Sequence, residues 1–421
     1  MKKTEQKYQA FVQILKEELI PAMGCTEPIS LAYGASIARK VLNHLPTKIV
    51  VEASGSIIKN VKSVIVPHTH HLKGIKAAVC AGIIGGNDDK YLEVLSQIDE
   101  KTKKEIDQYI EKVDFEEHFL DSSKVFDYII TVWNKKEYVK VRISDSHMHV
   151  VCIEKNGQIL QEEKSVVKKE KADRSLLDIK DIYDFIKTVE LTDIQDILER
   201  QIDYNYACAG LNDNYGANIG KVLLKSFGND VKNKAKAYAA AGSDARMNGC
   251  ELPVVINSGS GNQGMTCSLP VIIYAQELKV SKEKMLRALA LSNLVAIHEK
   301  SGIGTLSAYC GAVSAATGAG AGIAYLYDED YQAVIHTIVN TLANVSGIVC
   351  DGAKASCAAK IASSVDAAIL GYHMYKNGQE FKSGDGLVME NVEATIQSVG
   401  RLGREGMRET NKEIIKMMIH E

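Results

Sequence analysis

The sequence predicts an α+β protein in which a mostly helical, Ala/Gly-rich domain carries an inserted α/β domain with a mainly antiparallel sheet. Apolar residues recur at helical spacing through residues 5–43. Alternating and β-branched segments follow, which is typical of strands. From Ile179 onward the chain is again mostly helical and rich in Ala and Gly. We therefore expect residues 1–43 and 180–421 to form the helical domain and residues 44–179 to form the insertion.

The first helical pattern is interrupted at Pro21–Pro28, where two prolines and Gly24 break the helix. Cys25 is therefore expected at a turn that opens the next helix, from Ile29 to Leu42. A helix N-terminus favours a thiolate, so we expect a lowered thiol pKa there. Cys25 is then a candidate base, nucleophile or additional metal ligand. A turn with a purely structural role is the alternative.

The predicted insertion contains most of the strand signals. Segments that alternate or are β-branched predict five strands, at Ile49–Ala53, Ser63–Pro67, Phe126–Trp133, Tyr138–Ile143 and His149–Ile153. A packed helix is expected at Ala77–Ile84, and Asn156-Gly157 is a hairpin-turn signal. The polar stretch 160–178 is typical of a linker.

Composition excludes several classes of protein. The chain has 421 residues, 46% hydrophobic and 24% charged, with a net charge of −3, which is typical of a globular protein. Basic residues do not cluster with aromatic ones, which argues against nucleic acid or an anionic membrane surface as a partner. The N-terminus lacks the apolar core of a signal peptide, so a cytoplasmic location is expected. The apolar window Leu306–Tyr327 is mostly small residues, which favours a buried helix over a membrane span.

The nine cysteines are the main chemical signal. In a chain without an export signal, cysteines are core residues, nucleophiles or metal ligands rather than disulfides. Cys310 is followed 40 positions later by Cys350 and then by Cys357. Thiolates suit iron–sulfur clusters and zinc, but this spacing matches neither a zinc ribbon nor a ferredoxin. On spacing alone, a ligand set and a group of buried core cysteines remain equal alternatives.

The Gly-rich stretch Leu252–Gly264 formally contains a GxGxxG pattern but no clear βαβ unit, so a dinucleotide fingerprint is weakly supported. An anion-binding loop fits better, because successive glycines expose backbone N–H groups and polar side chains add donors. The candidate carboxylate-binding residues are Asn257, Ser258, Gly259, Ser260, Gly261, Asn262 and Gln263. A tight turn between elements is the alternative.

Two further groups of charged residues have functional and structural interpretations. In Ser243–Asn248, Arg246 is suited to grip a carboxylate and Asp244 an ammonium, while a surface ion pair is the alternative. His298 or Lys300, ahead of the loop that leads to Cys310, is a candidate acid or base, unless the charges only mark a helix end.

A third group is histidine-rich. His68, His70 and His71 invite a metal-site interpretation, but no carboxylate or cysteine lies close by in the sequence, which favours a loop without metal.

Taken together, the motifs resemble the L-cysteine desulfidase family, long catalogued as an uncharacterised protein family. The resemblance runs from about residue 8 to the C-terminus, and the C-terminal half is more distantly similar to the α-domain of iron–sulfur L-serine dehydratases. The motifs that carry it occur in the same order, at Gly24–Pro28, Ser243–Met247, Asn257–Gly264, Leu306–Cys310 and Cys350–Cys357.

The resemblance implies a [4Fe–4S] cluster and conversion of L-cysteine to pyruvate, ammonia and sulfide without pyridoxal phosphate. It implies Cys310, Cys350 and Cys357 as cluster ligands and Cys25 as the proton acceptor. L-Serine or another β-substituted amino acid is an alternative substrate. An iron–sulfur redox sensor and a metal-free amino-acid-binding protein are alternatives from other classes. The oligomeric state stays open, a homo-oligomer included.

Overall fold

The computed structural model describes residues 1–162, 171–210 and 215–419. Within these residues the chain is mainly helical. The helices are α1 (Gln6–Glu18), α2 (Thr26–Leu42), α3 (Gly55–Val61), α4 (Gly74–Gly85), α5 (Glu100–Lys112), α6 (Ile179–Thr188), α7 (Gln195–Cys208), α8 (Ile219–Phe227), α9 (Val231–Met247), α10 (Gly261–Glu277), α11 (Lys282–Ile303), α12 (Gly311–Asp328), α13 (Tyr331–Asn344), α14 (Cys357–Lys376), α15 (Val392–Arg401) and α16 (Arg408–Ile419).

The strands form one large and one small sheet, which confirms the predicted α+β class. The strands are β1 (Pro21–Met23), β2 (Lys48–Ala53), β3 (Asp114–Phe119), β4 (Asp127–Asn134), β5 (Glu137–Ser144), β6 (Val150–Lys155), β7 (Gln158–Glu162) and β8 (Pro253–Val255). The large sheet has the order β3-β2-β4-β5-β6-β7 and is antiparallel except for the β2–β3 pair. Helix α2 packs against β4 and β5.

Several strand assignments differ from the prediction, among them β7, which includes residues 160–162 of the stretch predicted as a linker. Ser63–Pro67 is not a strand; Ile65 makes one isolated bridge to Lys73 within a series of turns. The apolar residues there are buried by packing rather than by pairing. Strand β3 was not predicted, because its sequence DFEEHF is charged and largely exposed at the sheet edge. Helix α2 also begins three residues before the predicted Ile29, with Pro28 in its first turn.

The small sheet brings two distant segments together. Strand β1 pairs antiparallel with β8, with Pro21 opposite Val255 and Met23 opposite Pro253. Strand β1 leads directly into Cys25, and β8 leads directly into the Gly-rich loop. The pairing therefore places the Cys25 turn beside that loop, and Thr26 Oγ1, next to Cys25, donates to the carbonyl of Gly259, 233 residues further along the chain.

Helix α12 is the buried centre of the helical part and contains most of the predicted apolar window. It packs against α10, α11, α13 and α14. Small residues let the backbones approach: a Cβ on Gly318 would lie 2.3 Å from the carbonyl oxygen of Ser292 in α11. Within the described ranges, no helix is long and apolar enough to cross a membrane.

The division of the chain at residues 43/44 and 179/180 stays a prediction. The large sheet lies within residues 48–162, and the chain re-enters the helical part through α6. Of the polar stretch 160–178, residues 163–170 lie outside the described residues.

Gly318→Ala tests the close packing of α12. The added methyl group overlaps the Ser292 carbonyl, so we expect a loss of about 1–3 kcal/mol in the free energy of unfolding, measured by urea denaturation. Gly302→Ala is the matched control, because its Cβ would lie 3.6 Å from the nearest atom, at ordinary contact distance. Equal stability of Gly318→Ala and the control would contradict this packing.

Candidate active site

A cavity of about 590 Å³ lies where the N-termini of several helices meet the large sheet. Its lining includes most of the residues that the sequence analysis singled out. These are Cys25, Arg246, Ser258, Gly259, Ser260, Asn262, Gln263, Lys300, Cys310, Cys350 and Cys357. Side chains that the sequence analysis did not assign also contribute, among them Lys59, Asn60 and His147.

Backbone pairing places Cys310 beside Cys350. The Cys310 N–H donates to the carbonyl of Ile348 at 2.9 Å, and the Cys350 N–H donates to the carbonyl of Ala308 at 2.7 Å. These bonds and the bridge between Tyr309 and Val349 hold the two segments antiparallel. Cys357 enters the same cavity as the first residue of α14.

Of the three thiols, Cys310 is buried and Cys350 and Cys357 are partly exposed, and positive groups lie near Cys350. The Cys310 thiol donates to Cys350, and this bond, with the nearby charge of Lys59, holds the pKa of Cys350 well below its usual value. The same bond and burial raise the pKa of Cys310. The buried Lys59 Nζ lies 3.5 Å from the Cys350 carbonyl and donates to Asn411 Oδ1 at 2.7 Å. One cysteine of the pair is therefore disposed to ionise without added metal.

No three His, Cys, Asp or Glu side chains of the described chain are grouped to hold a single metal ion. This finding concerns mononuclear sites, in which all ligands bind one metal atom. In an iron–sulfur cluster the cysteines bind different irons and need not converge. Three soft thiol donors suit an iron–sulfur cluster or zinc, and their failure to converge on one atom among the described residues favours the cluster.

The Gly-rich loop ends at the N-terminus of α10, with Ser260 as the N-cap residue. Two residues of the loop, Ser258 and Gly259, have positive φ angles of 49° and 75°. A Cβ on Gly264 would lie 2.1 Å from the Val255 carbonyl oxygen, so only glycine lets the helix begin so close to β8. The loop thus presents the first turn of a helix to the cavity, an arrangement that favours anions.

Two residues assigned to carboxylate binding, Asn257 and Gly261, are not part of the cavity lining. Asn257 is fully buried, and its Nδ2 donates to Asn293 Oδ1 at 3.0 Å. Ser258 donates in turn to Asn257 Oδ1 at 2.8 Å. Asn257 therefore stabilises the conformation of the loop from its buried side, away from the cavity. Gly261 packs against the guanidinium group of Arg246, where a Cβ would overlap it at 2.3 Å.

Arg246 and Asp244 are both buried, so the surface ion-pair alternative is wrong. Arg246 donates to the carbonyl of Gly24 and to Asn262 Oδ1, and thereby ties the Cys25 turn to the start of α10. Asp244 does not line this cavity. Its Oδ2 accepts a hydrogen bond from the N–H of Ile219 at 2.7 Å, at the start of α8.

Cys25 is the N-cap residue of α2, as predicted, but the expected lowering of its thiol pKa is wrong. Burial raises the pKa of Cys25, and the neighbouring Glu27 carboxylate raises it further. The Cys25 Sγ donates to Glu27 Oε2 at 3.0 Å, and Thr26 Oγ1 donates to the same oxygen at 3.2 Å. Asn60 Nδ2 donates to Glu27 Oε1 at 3.2 Å. Desolvation thus outweighs the helix dipole, and Cys25 is a protonated partner of Glu27.

Of the two candidate acid–base residues near the C-terminal end of α11, Lys300 lines the cavity and His298 does not. Lys300 Nζ donates to the Gly304 carbonyl at 2.7 Å, and burial lowers its pKa. His298 lies 2.8 Å from Glu393 Oε2. Lys300 is therefore the one of the two that can reach a ligand.

The histidine-rich segment lies apart from the cavity. His70 Nδ1 lies 2.5 Å from Asp107 Oδ2, and His70 Nε2 lies 3.4 Å from Glu100 Oε2. His68 Nδ1 lies 3.6 Å from Glu251. The carboxylates that the sequence did not place nearby are thus supplied by α5 and by the loop before β8, and they act as hydrogen-bond and ion-pair partners.

Four helices begin at the cavity, namely α2, α10, α12 and α14, with Cys25, Ser260, Cys310 and Ser356 as N-cap residues. None of these N-caps makes a side-chain capping bond within the part of the chain that the structure describes. Elsewhere, α5 and α13 are capped by Asp99 and Asp330, while α1, α3, α4, α7 and α8 also lack a side-chain cap among the described residues. Uncapped N–H groups carry partial positive charge, so the cavity attracts anionic ligands.

The chain is similar to proteins of a known family over most of its length. The family model described as serine dehydratase alpha chain matches residues 89–416. A UPF0597 protein of Desulfitobacterium hafniense is 55% identical over 425 residues, covering 100% of this chain and 99% of the relative. UPF0597 proteins of Lachnoclostridium phytofermentans and Treponema denticola are 50% and 44% identical, covering 98% of this chain and 100% and 98% of the relatives. The chain belongs to the serine dehydratase alpha chain family, together with the UPF0597 proteins.

Proposed function

We propose that this protein is an iron–sulfur-dependent carbon–sulfur lyase that converts L-cysteine and water to pyruvate, ammonia and hydrogen sulfide. The observation that carries the proposal is one cavity lined by Cys310, Cys350 and Cys357, by a carboxylate-binding loop and by Cys25. Membership of the serine dehydratase alpha chain family supports a lyase or dehydratase-type enzyme. The motif resemblance to L-cysteine desulfidases narrows the substrate to L-cysteine.

The residues present fit a [4Fe–4S] cluster. Cys310, Cys350 and Cys357 would hold it, since all three line the cavity and Cys310 and Cys350 are already in contact. The positive charges of Lys59 and Lys300 act on Cys350, which favours thiolates there. When bound through three cysteines, the cluster supplies an iron with an open position as a Lewis acid for the leaving group.

In this proposal the Gly-rich loop and the first turn of α10 bind the substrate. The first turn of α10 offers backbone N–H groups, and Ser258, Asn262 and Gln263 add polar side chains around the substrate carboxylate. Arg246 supplies the nearest guanidinium charge while it fixes the positions of Gly24 and Asn262. The anionic end of the amino acid is therefore bound at the α10 side of the cavity.

Proton abstraction uses Cys25 together with Glu27. The hydrogen bond between them gives the thiol proton a route to the carboxylate, which leaves a thiolate to remove the substrate Cα proton. Because the pKa of Cys25 is raised, the thiolate is a strong base once formed. Lys300 is the proposed acid that protonates the departing sulfide. The aminoacrylate product takes up water and yields pyruvate and ammonia.

L-Serine is the second candidate substrate, favoured by the family description. Hydroxide replaces hydrosulfide as the leaving group, and every other bond change is the same. The loop, Cys25 and Glu27 do not contact the β-substituent in either case, so they do not discriminate between the two substrates.

The ligand assignment predicts which variants keep a cluster after anaerobic reconstitution with iron and sulfide. Cys310→Ala, Cys350→Ala and Cys357→Ala are expected to lose the visible absorbance of the cluster, because each removes one thiolate. Cys25→Ala is expected to keep it. Cys267→Ala is the matched control, since Cys267 is buried outside the cavity lining. Loss of the cluster in Cys25→Ala would make Cys25 a ligand and remove it as the base.

The substrate assignment predicts pyruvate formation by the reconstituted wild-type protein. Pyruvate and sulfide are expected in equal amounts from L-cysteine, with a higher kcat/KM than for L-serine, because the soft thiol suits iron better than the hydroxyl group does. A full cluster without pyruvate from either amino acid would contradict the lyase proposal. A higher kcat/KM for L-serine would instead favour the dehydratase.

The Cys25–Glu27 contact predicts a shift in thiol reactivity. Glu27→Gln removes the carboxylate charge that raises the Cys25 pKa, so the pKa should fall. Alkylation of Cys25 by iodoacetamide, followed by mass spectrometry across a pH series, should then reach half-maximal rate at lower pH than in the wild type. Glu27→Gln should also lose about 100-fold or more in kcat, because the thiol proton has no acceptor.

Glu18→Gln is the matched control for this experiment. Glu18 also lines the cavity, but it pairs with Arg174 and does not act on Cys25. An unchanged alkylation profile in Glu27→Gln would show that Glu27 does not control the thiol.

A further inference from the structure

The large sheet contributes one hairpin tip to the cavity. The connection between β5 and β6 carries Asp145, Ser146 and His147, and all three line the cavity. The hairpin is held by the Ser144 N–H, which donates to the His149 carbonyl at 3.1 Å, and by a left-handed residue at Asp145 with φ 69°. His147 is the residue of this hairpin that the proposed mechanism leaves without a role.

His147 is held firmly in place. Its carbonyl accepts a hydrogen bond from Ser30 Oγ of α2 at 2.6 Å. Its ring packs edge-on against Phe126, with 4.8 Å between ring centroids. The Cε1 atom also lies 3.2 Å from the position that a Cβ on Gly259 would take, so the imidazole stands directly against the carboxylate-binding loop.

The imidazole has an unused hydrogen-bonding atom. His147 Nε2 is buried and has no partner among residues 1–162, 171–210 and 215–419. Burial lowers the pKa of His147, which favours the neutral ring, and a neutral ring has one acceptor nitrogen. Buried polar atoms in native proteins are normally paired, so an unpaired one beside a cavity points to a ligand.

The carboxylates at the cavity are already engaged, whereas Gln263 Oε1 is a second buried acceptor of the lining that has no partner in the described part of the chain. Three carboxylates line the cavity, and each has a partner in the described part of the chain: Glu27 accepts from Cys25, Thr26 and Asn60, Glu18 pairs with Arg174, and Asp145 pairs with Lys124. The other charged side chains of the lining are positive, namely Lys59, Lys171, Arg174, Arg246 and Lys300, and the helix N-termini add partial positive charge. These groups attract a carboxylate and repel an ammonium.

The position of His147 matches the shape of an α-amino acid. Carboxylate and ammonium are bonded to the same carbon, so their binding sites must be neighbours. The His147 ring is in contact with Gly259 of the loop to which the carboxylate was assigned. It is therefore placed where the ammonium group of a bound amino acid has to lie.

We propose that His147 is a substrate-binding residue that accepts a hydrogen bond from the α-ammonium group of the amino acid. The inference rests on the proposed function, because it requires an amino-acid substrate in this cavity. It gives the sheet a direct part in substrate recognition, since the residue that selects an amino group comes from the β5–β6 hairpin and the carboxylate site comes from α10.

The test compares L-cysteine with 3-mercaptopropionate, which has the same thiol and carboxylate but no ammonium group. His147→Phe keeps an aromatic ring against Phe126 and removes the acceptor. In the reconstituted protein we expect it to raise the KM for L-cysteine about 10- to 100-fold, as for loss of a hydrogen bond to a charged group. The competitive inhibition constant of 3-mercaptopropionate should change less than about twofold, within ordinary variation of a surface change. His147→Gln, which restores an acceptor, should recover part of the affinity.

His149→Gln is the matched control, because His149 lies in the same hairpin and bonds the Ser144 carbonyl at 2.8 Å without lining the cavity. It should leave both constants unchanged. An equal weakening of L-cysteine and 3-mercaptopropionate in His147→Phe, or no change in either, would overturn the role of His147. Failure of the wild-type protein to bind or turn over any amino acid would instead overturn the proposed function.

Discussion

The concentration of helix N-termini at one cavity is the constraint on which the rest of the structure depends. Each of α2, α10, α12 and α14 begins there without a side-chain cap from the described residues, so partial positive charge accumulates in a buried space. Such a site favours carboxylates, which are otherwise costly to bury, whereas the pKa values of the N-cap thiols Cys25 and Cys310 are still raised. Lys59, Lys300 and Arg246 add to the same field. The proposed lyase reaction depends on anionic groups, and the positive helix N-termini at the cavity stabilise such groups.

Close packing is the condition for this convergence. Several helices can begin at one cavity only if their backbones pack more closely than large side chains would allow. Gly318 in α12 lies against α11, and Gly264 in α10 lies against the carbonyl of Val255. The Ala/Gly-rich composition therefore lets α10, α11 and α12 pack closely, and this packing brings the loop, Lys300 and Cys310 to the same cavity. Larger residues would separate these groups.

The cysteines of the cavity have the same side chain but lie in different surroundings. Cys310 and Cys350 lie beside each other, and the positive charges of Lys59 and Lys300 lower the pKa of Cys350. Cys25 is buried against a carboxylate, and its pKa is raised. The pKa values of Cys350 and Cys25 are thus shifted in opposite directions, whereas those of Cys310 and Cys357 are raised like that of Cys25. The small sheet of β1 and β8 keeps Cys25 beside the carboxylate-binding loop while the other thiols belong to α12, α14 and the segment between α13 and α14.

The sequence by itself determined the α+β class, the helical character of the N-terminal segment and of the chain from Ile179 onward, four strands of the large sheet and the Cys25 turn at a helix start, because these follow from local periodicity and residue type. It also predicted the cysteines and the Gly-rich loop as candidate site residues. The tertiary structure decided which of them meet. Antiparallel pairing of residues 308–310 with 348–350 brought Cys310 to Cys350, and no local signal reports such pairing. The tertiary structure also places Asn257 outside the cavity lining and adds His147 from the sheet to it. It raises the pKa of Cys25, where the sequence predicted a lowered pKa. Burial and partners across the fold set these properties, and neither can be read from neighbouring residues in the chain.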